Sequence, residues 1–203
     1  MEPAQPAGAA GTKGPEYTER LSERTWWKRL VDVQAPYRWN IRRLGLGRTV
    51  DIGCGVGRNL AHLGGSAVGV DHNETSVAEA RARGFRAYTP DDFRAAPDWR
   101  DGSFDSLLLS HVAEHMTIAE CIALIGAYVT LLRPRGRVVL ITPQEAGQRC
   151  DATHVTFVDF GGQREIFSAL DCVVEKQFSF PFVRAFGNAF PYNEFIGVGR
   201  RRT

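Results

Sequence analysis

The stretch Thr49-Val-Asp-Ile-Gly-Cys-Gly-Val-Gly-Arg-Asn59 decides the fold of this chain. It begins with β-branched and apolar residues, which are typical of a buried strand, and this run stops at Gly53, the first of three alternating glycines. Glycines permit unusual backbone angles and let a ligand approach the main chain closely. From Arg58 onward the composition is that of a helix start, whose first amides have no partner within the helix. The stretch therefore predicts a strand, a tight turn and a helix that together face a ligand.

Acidic residues around this turn indicate which ligand it binds. The dinucleotide fingerprint requires a third glycine at the position where this chain has Arg58. Asp51 instead stands directly before the turn, where a carboxylate suits a ligand that carries an ammonium group. The run from Ser66 to Val70 reads as a second buried strand and leads to Asp71, at the spacing where a carboxylate receives both hydroxyls of a ribose. A glycine-rich turn with a purely structural role is the alternative.

With Asp51, Gly53, Gly55 and Asp71 in these places, the chain resembles the class I S-adenosylmethionine-dependent methyltransferases, whose first motif is Asp-x-Gly-x-Gly-x-Gly. The resemblance extends over about residues 37–200 and implies S-adenosyl-L-methionine as the cofactor. The fold class that it implies is α/β: a doubly wound, mostly parallel, seven-stranded Rossmann-like methyltransferase sheet with an antiparallel edge strand. The alternation of predicted strands and helices independently favours a parallel sheet with right-handed crossovers.

Length, charge and composition exclude several classes of protein. The chain has 203 residues and a formal net charge of +2 with dispersed basic residues, so we expect no nucleic-acid partner. No apolar run approaches the length that spans a bilayer, and the N-terminus lacks the pattern of a secretory signal. We therefore expect a cytoplasmic protein with no membrane partner. The four cysteines have neither zinc-site nor disulfide spacing.

The chain divides into a tail and one domain. Residues 1–15 are rich in Ala, Gly and Pro and predict a disordered tail. Residues 16–203 predict a single methyltransferase domain that opens with a helical lead-in, residues 16–47. A long aromatic connection, residues 179–192, separates the last two predicted strands. We expect it to line the acceptor pocket, to stack on a sugar or flat ring, or to form a homodimer contact.

The middle of the chain holds a second motif of the resembled family. The apolar run Ser103–Ser110 predicts a strand buried on both faces, and His111-Val-Ala-Glu-His115 then matches the fourth motif of small-molecule methyltransferases. This motif differs from the Asn-Pro-Pro-Tyr type that holds exocyclic amines and amides, so nitrogen methylation of adenine or glutamine is disfavoured. Thr117 and Glu120 form a capping-box pattern that opens a helix, with apolar residues at helical spacing as far as Leu132.

The resemblance assigns cofactor contacts to residues near the ends of the predicted strands. Tyr37 or Arg38 meets the carboxylate of the methionine part, where a charge-assisted bond from the arginine would be stronger. Asp92, with Asp91 as the alternative, holds the adenine amino group and Phe93 covers the ring face, unless the aspartates here only cap a helix. The implied cofactor contacts are Tyr37, Arg38, Asp51, Gly53, Gly55, Arg58, Asn59, Asp71, His72, Asp92, Phe93, Ser110 and His111.

The histidines after predicted strands four and five are the candidates for catalysis. Methyl transfer from a sulfonium is an in-line displacement, and an alcohol acceptor must lose its proton to a base or a metal. His154 is the first candidate for the base, because Asp151 or Glu145 could orient it, and His115 is the second. His111 is a third, and all of them have the alternative of bonding only loop backbone or the cofactor. Carboxylates nearby, including Glu114, suit magnesium, but without a fixed ligand spacing we predict no tight metal site.

The acceptor is expected to be a small molecule or an oligosaccharide. As a whole, the chain resembles small bacterial O-methyltransferases of sugars and polysaccharides, with those that act on mannose oligosaccharides most similar. A methyltransferase of a phenol or quinone precursor would share the cofactor residues and differ in its pocket, and a non-catalytic cofactor sensor or, more distantly, an NAD oxidoreductase are further alternatives. Side chains expected to bind a hydroxyl-rich acceptor are Gln144, Glu145, Asp151, Asn193 and Glu194.

Overall fold

The computed structural model describes residues 34–202, which build one seven-stranded sheet in the order β3-β2-β1-β4-β5-β7-β6. The predicted disordered tail and the lead-in as far as residue 33 lie outside the described residues. The strands are β1 Thr49–Ile52, β2 Ala67–Val70, β3 Ala87–Tyr88, β4 Phe104–Ser110, β5 Leu132–Pro143, β6 Cys172–Phe180 and β7 Glu194–Arg201.

The strand directions confirm the predicted fold class. Strands β1 to β5 pair in parallel. Strand β7 runs antiparallel to both β5 and β6, so the last two strands form the predicted antiparallel pair at the edge. The helices that the structure describes are α1 Ala35–Arg43, α2 Arg58–Leu63, α3 Glu74–Ala82, α4 Pro90–Ala95, α5 Ile118–Gly126, α6 Glu145–Gln148 and α7 Phe160–Ala169.

Helix α5 confirms one prediction and corrects another. Thr117 and Glu120 form the predicted capping box at its start. The helix ends at Gly126, however, and a short 3-10 turn follows before Leu132 begins β5. The prediction that helical spacing continues to Leu132 is therefore wrong. Leu132 pairs with Phe104 in the sheet, and strand pairing outweighs the local helical pattern.

The core lies on both sides of the sheet because the central strands are buried on both faces. Leu107 and Leu109 of β4 pack in one apolar cluster, whereas Leu108 between them packs in the cluster on the other side. All three are at most 1% exposed, which confirms the prediction of a strand buried on both faces. Burying a leucine side chain contributes about 1.5–3 kcal/mol, so these layers hold the strand ends in fixed positions.

The order of the strands places several loops at one edge of the sheet. The order runs from β1 outward to β3 on one side and from β4 outward on the other, so the chain changes direction between β1 and β4. Open α/β sheets bind ligands at such a switch point, outside the carboxyl ends of the strands. The loops after β1, β2, β4 and β5 meet there. Within residues 34–202, no helix combines the length and the apolar composition that a membrane span requires.

Candidate active site

A cavity of about 330 Å³ lies at this switch point. Side chains and backbone from α1, the glycine turn and the loops after β2 and β4 line it, together with the aromatic connection before β7. Among the residues predicted from sequence, those that line the cavity are Tyr37, Gly53, Gly55, Arg58, Asn59, Asp71, Ser110, His111 and Glu194.

The turn after β1 requires glycine for steric reasons. Gly53 has φ +75°, and a Cβ on it would lie 2.4 Å from Cγ2 of Val112. Gly57 has φ +85°, and a Cβ there would lie 2.5 Å from the ring of Phe85. The amide of Gly53 also donates a hydrogen bond to the carbonyl of Val70, 2.8 Å away, so the turn is attached to β2. A side chain at either glycine would displace the backbone that lines the cavity.

Asp71 is held in place by backbone amides on both of its oxygens. Oδ2 accepts a hydrogen bond from the amide of Gly55 at 2.8 Å, and Oδ1 accepts one from the amide of Asn73 at 2.8 Å. A carboxylate oxygen has two lone pairs, so each oxygen can accept a further hydrogen bond. Asp71 lines the cavity and is therefore preorganised to receive two ligand hydroxyls, as the ribose prediction requires.

Asp51 is a buried carboxylate with one oxygen that lacks a partner. It is 0% exposed, Oδ1 lies 3.5 Å from Nδ2 of Asn59, and Oδ2 has no hydrogen-bond partner within residues 34–202. Burial raises the pKa of Asp51 to about 7. An orphaned buried carboxylate is costly, and a cationic ligand group would compensate it. Asp51 does not itself line the cavity, but its partner Asn59 does.

His111 bridges two glutamates across the cavity wall. Its Nε2 lies 2.8 Å from Glu194 and its Nδ1 lies 3.1 Å from Glu114. Burial lowers the pKa of His111, but hydrogen bonds to Glu114 and then to Glu194 outweigh this effect and raise it to about 10. The protonated ring therefore donates to both carboxylates at neutral pH. A histidine held in this way is a poor base, which removes His111 from the candidates for proton abstraction.

His115 and His154 lie together beside Glu114. Their ring centroids are 4.9 Å apart, and ligand atoms of all three residues lie within 4.8 Å of one another. Burial lowers the pKa of His115 from its ordinary 6.5, which favours the neutral ring. Neither histidine lines the cavity of about 330 Å³, but Glu114 joins the cluster to His111, which does.

The hydrogen bond that orients His154 differs from the predicted one. Nδ1 of His154 lies 3.1 Å from the backbone carbonyl of Gln148. Glu145 instead forms an ion pair with Arg184, and Asp151 accepts hydrogen bonds from the amide and hydroxyl of its neighbour Thr153. Glu145 is therefore not the residue that orients His154, because it pairs with Arg184, whereas the role of Asp151 stays a prediction. Glu114 also lies beside the two histidines.

Two of the predicted acceptor contacts are structural. Gln144 and Asn193 are 0% exposed, and Nδ2 of Asn193 donates a hydrogen bond to Oε1 of Gln144 at 2.9 Å. Nε2 of Gln144 in turn donates to the hydroxyl of Ser179. These amides attach the aromatic connection to the end of β5, so the prediction that they bind the acceptor is corrected. Among the predicted acceptor contacts, Glu194 lines the cavity.

The predicted adenine contacts are also corrected in part. Phe93 is 0% exposed and packs against Trp99, so its ring belongs to the core and does not cover a ligand. Thr89 accepts a hydrogen bond from the amide of Asp92 and caps α4, which turns Phe93 inward. Asp92 lies on the exposed side and forms an ion pair with Arg81 at 2.9 Å. The aspartates thus lie in the first turn of a helix that Thr89 caps, so the alternative interpretation that they form the cap is also corrected.

Other residues complete the description of the cavity. Arg38 lies outside its lining, and Nδ1 of His72 lies 3.6 Å from Oδ1 of Asp71 but does not reach the cavity. Tyr37 donates a hydrogen bond from its hydroxyl to the carbonyl of Tyr192 at 2.8 Å. Lining residues that sequence reasoning did not select are Gln34, Asn40, Ile41, Cys54, Val56, His62, Ile141, Pro191 and Tyr192. Two sequence signals were available for part of this set: the glycine turn contains Cys54 and Val56, and the aromatic connection contains Pro191 and Tyr192.

Comparison with known proteins gives a consistent family. Residues 50–140 match the family described as Methyltransferase domain. The ubiquinone biosynthesis O-methyltransferase of Rhodopseudomonas palustris strain HaA2 is 32% identical over 102 residues, which cover 47% of this chain and 39% of that protein. The protein of the same name from Pseudomonas paraeruginosa is 32% identical over 142 residues, covering 61% of this chain and 60% of that protein. The matches thus span less than two thirds of these relatives.

Solved structures share the fold at low sequence identity. Magnesium protoporphyrin IX methyltransferase from Synechocystis PCC 6803, with bound S-adenosylmethionine, has a TM-score of 0.64 at 15% identity, over 99% of this chain and 100% of that chain. A S-adenosylmethionine-dependent methyltransferase from Archaeoglobus fulgidus has a TM-score of 0.60 at 18% identity, over 81% of this chain and 93% of that chain. Taken with the sheet order, they show that this chain has the fold of the class I S-adenosylmethionine-dependent methyltransferases, and the family match over residues 50–140 indicates S-adenosylmethionine as its cofactor.

Proposed function

We propose that this protein transfers the methyl group of S-adenosylmethionine to a hydroxyl oxygen of a small aromatic acceptor, such as a phenol or quinone precursor. One observation carries the proposal: a single cavity contains the preorganised carboxylate Asp71 and is linked through His111 and Glu114 to a pair of histidines. The first feature fits the cofactor, and the second fits an acceptor that must lose a proton.

In this proposal the residues of the chain bind the cofactor and accept the hydroxyl proton of the acceptor. Asp71 would accept hydrogen bonds from the two ribose hydroxyls, and Asp51, buried behind its partner Asn59, would compensate the charge of the ammonium group. When bound, the cofactor would supply an electrophilic methyl group: the acceptor oxygen would form the new O–C bond as the C–S bond breaks, and the electron pair of the C–S bond would stay on sulfur. The acceptor proton leaves at the cluster of His115 and His154, where a neutral imidazole nitrogen can accept it.

The choice of an aromatic over a sugar acceptor follows from what lines the cavity. Pro191 and Tyr192 line it, and the exposed rings of Phe182 and Phe186 continue the same connection. Flat apolar surfaces suit ring stacking. The amides and carboxylates expected to bind sugar hydroxyls are instead engaged within the protein, and Glu194, which lines the cavity, is itself bonded to His111. The relatives named ubiquinone biosynthesis O-methyltransferase support the same acceptor class.

A label-transfer experiment tests the proposal. Purified protein would be incubated with methyl-labelled S-adenosylmethionine and, separately, with 3,4-dihydroxybenzoate, methyl mannoside and an extract of its own cells. We expect label on a phenolic hydroxyl, identified by mass spectrometry, and none on the mannoside. Label on carbohydrate alone would replace the aromatic acceptor with a sugar. Binding of the cofactor without any transfer to the panel or extract would indicate a sensor and contradict the proposed activity.

A further inference from the structure

The cluster of Glu114, His115 and His154 has the composition and shape of a metal site. One ligand atom from each residue lies within 4.8 Å of the other two. The residues come from two separate loops: Glu114 and His115 from the 3-10 turn after β4, and His154 from the segment after α6. Ligands about 2.0–2.2 Å from one tetrahedral cation lie about 3.3–3.6 Å apart, so binding would draw these atoms together by about 1 Å.

Both histidines are oriented in the way that metal ligands usually are. Nδ1 of His115 lies 3.2 Å from the carbonyl of Thr153, and Nδ1 of His154 lies 3.1 Å from the carbonyl of Gln148. A carbonyl only accepts, so in the neutral rings Nδ1 carries the hydrogen and Nε2 keeps its lone pair. Backbone carbonyls behind metal-bound imidazoles fix the ring and the tautomer in the same manner.

The carboxylate of Glu114 is an independent observation that points to a cation at this cluster. Its side chain is 0% exposed, and Oε2 has no hydrogen-bond partner among the residues that the structure describes. A buried carboxylate oxygen without a partner is costly and rare in folded proteins. The other oxygen, Oε1, accepts from His111 at 3.1 Å. One cation bonded to Glu114 would satisfy the oxygen that the protein leaves without a donor.

The backbone holds the two loops together around this cluster. The carbonyl of Glu114 accepts hydrogen bonds from the amides of Val155 at 2.8 Å and Thr156 at 3.1 Å, directly after His154. Thr153 is fixed by Asp151, whose Oδ1 accepts from both its amide and its hydroxyl. The relative position of Glu114 and His154 is therefore set by main-chain contacts and does not depend on the flexible ends of side chains.

We propose that Glu114, His115 and His154 bind one divalent cation. Two imidazole nitrogens and one carboxylate oxygen favour a zinc, manganese, iron or cobalt ion over magnesium or calcium, which prefer oxygen ligands. Three protein ligands leave at least one position open for water or for an acceptor hydroxyl.

The proposed cation site does not depend on the proposed methyl transfer. The role that the cation plays in catalysis rests on that proposed function. A hydroxyl on the open position would release its proton to solvent more readily, because a bound cation lowers the pKa of a coordinated oxygen. In the cation-loaded protein the histidines then act as ligands, and direct proton abstraction by histidine is confined to the cation-free protein.

Direct binding measurements on the full, untagged chain test this inference. After EDTA treatment and desalting, the protein would be titrated with Co²⁺ by visible absorption and with Zn²⁺ by calorimetry. We expect one equivalent to bind. His115→Gln and His154→Gln should each weaken binding by about 100-fold or more, whereas Cys150→Ser, which removes an exposed thiol outside the cluster, should keep wild-type binding. Circular dichroism would verify that each variant folds.

Two results would overturn the inference: no saturable binding to the wild type, or equal binding to the wild type and both cluster variants. Calorimetry with S-adenosylhomocysteine on the same samples separates this failure from failure of the proposed function. If S-adenosylhomocysteine binds and neither metal does, the cation site is wrong and the cofactor site stands. If Co²⁺ and Zn²⁺ bind as expected but no methyl group is transferred to any acceptor, the cation site stands without the proposed activity.

Discussion

The loops after β1 and β2 differ from those after β4 and β5 in how the sequence builds them. The cofactor side is contained in one stretch from Asp51 to Asp71, where a glycine turn and an acid are joined by direct backbone hydrogen bonds. The other side combines Glu114, His154 and Glu194 from three separate segments. A compact motif can be recognised from its spacing, whereas a site assembled from distant segments depends on the fold.

The largest expected effect is a loss of cofactor affinity when Asp71 is replaced, and it concerns the cofactor side alone. In Asp71→Asn the amide keeps one acceptor oxygen but loses one charge-assisted bond to a ribose hydroxyl, which contributes about 1.5–3 kcal/mol. We expect affinity for S-adenosylhomocysteine, measured by calorimetry, to fall by about 30–100-fold, with turnover restored at saturating cofactor. Asp171→Asn, at an exposed ion pair on the far edge of the sheet, is the matched control. Affinity within twofold of the wild type would remove Asp71 from the site.

A smaller effect is expected for Asp51→Asn. This variant should bind the cofactor more weakly but should be more stable than the wild type. The pKa of Asp51 rises from 3.8 to about 7 on folding, so the folded state binds more protons between these values, and the free energy of unfolding falls as pH rises through this window. Above pH 7 the variant should be more stable than the wild type by about 1–3 kcal/mol in denaturant unfolding.

The same variant should bind S-adenosylhomocysteine about 10-fold more weakly, because the ammonium group loses its carboxylate. Equal affinity of variant and wild type would show that Asp51 has only a structural role. Lower stability of the variant above pH 7 would contradict the orphaned carboxylate as the reason for the raised pKa.

The smallest expected effect is on the pH dependence of stability and concerns His111, which bonds Glu114 and Glu194. The pKa of His111 rises from 6.5 to about 10 on folding, so its contribution to stability is complete below pH 6.5 and is lost as pH rises toward 10. Its side chain is 46% exposed, and solvent screening limits the effect to about 1 kcal/mol. His111→Asn keeps a residue that tolerates the backbone φ of +58°, so it isolates the charge.

Unfolding of this variant should depend less on pH between 6.5 and 10 than unfolding of the wild type. Parallel pH profiles would show that the bridge between Glu114 and Glu194 does not stabilise the fold.

The sequence predicts the fold and the cofactor side better than the acceptor side, for physical reasons. Gly53 and Asp71 are constrained by local backbone geometry, so the cofactor side can be predicted from their spacing in the sequence. Phe93 follows two aspartates in a motif-like position, but the cap at Thr89 turns its ring into the core. Gln144 looks like a ligand group in a polar loop, yet it bonds Asn193, which is distant in sequence. Such pairings cannot be derived from local pattern.

The most direct test of the methyltransferase assignment is calorimetric titration of the wild-type protein with S-adenosylhomocysteine and, in parallel, with NAD. We predict one S-adenosylhomocysteine site per chain, with micromolar or tighter affinity, and no heat of binding with NAD. Binding of NAD in place of S-adenosylhomocysteine, or of neither ligand, would contradict the assignment of the cavity between β1 and β4 as the cofactor site.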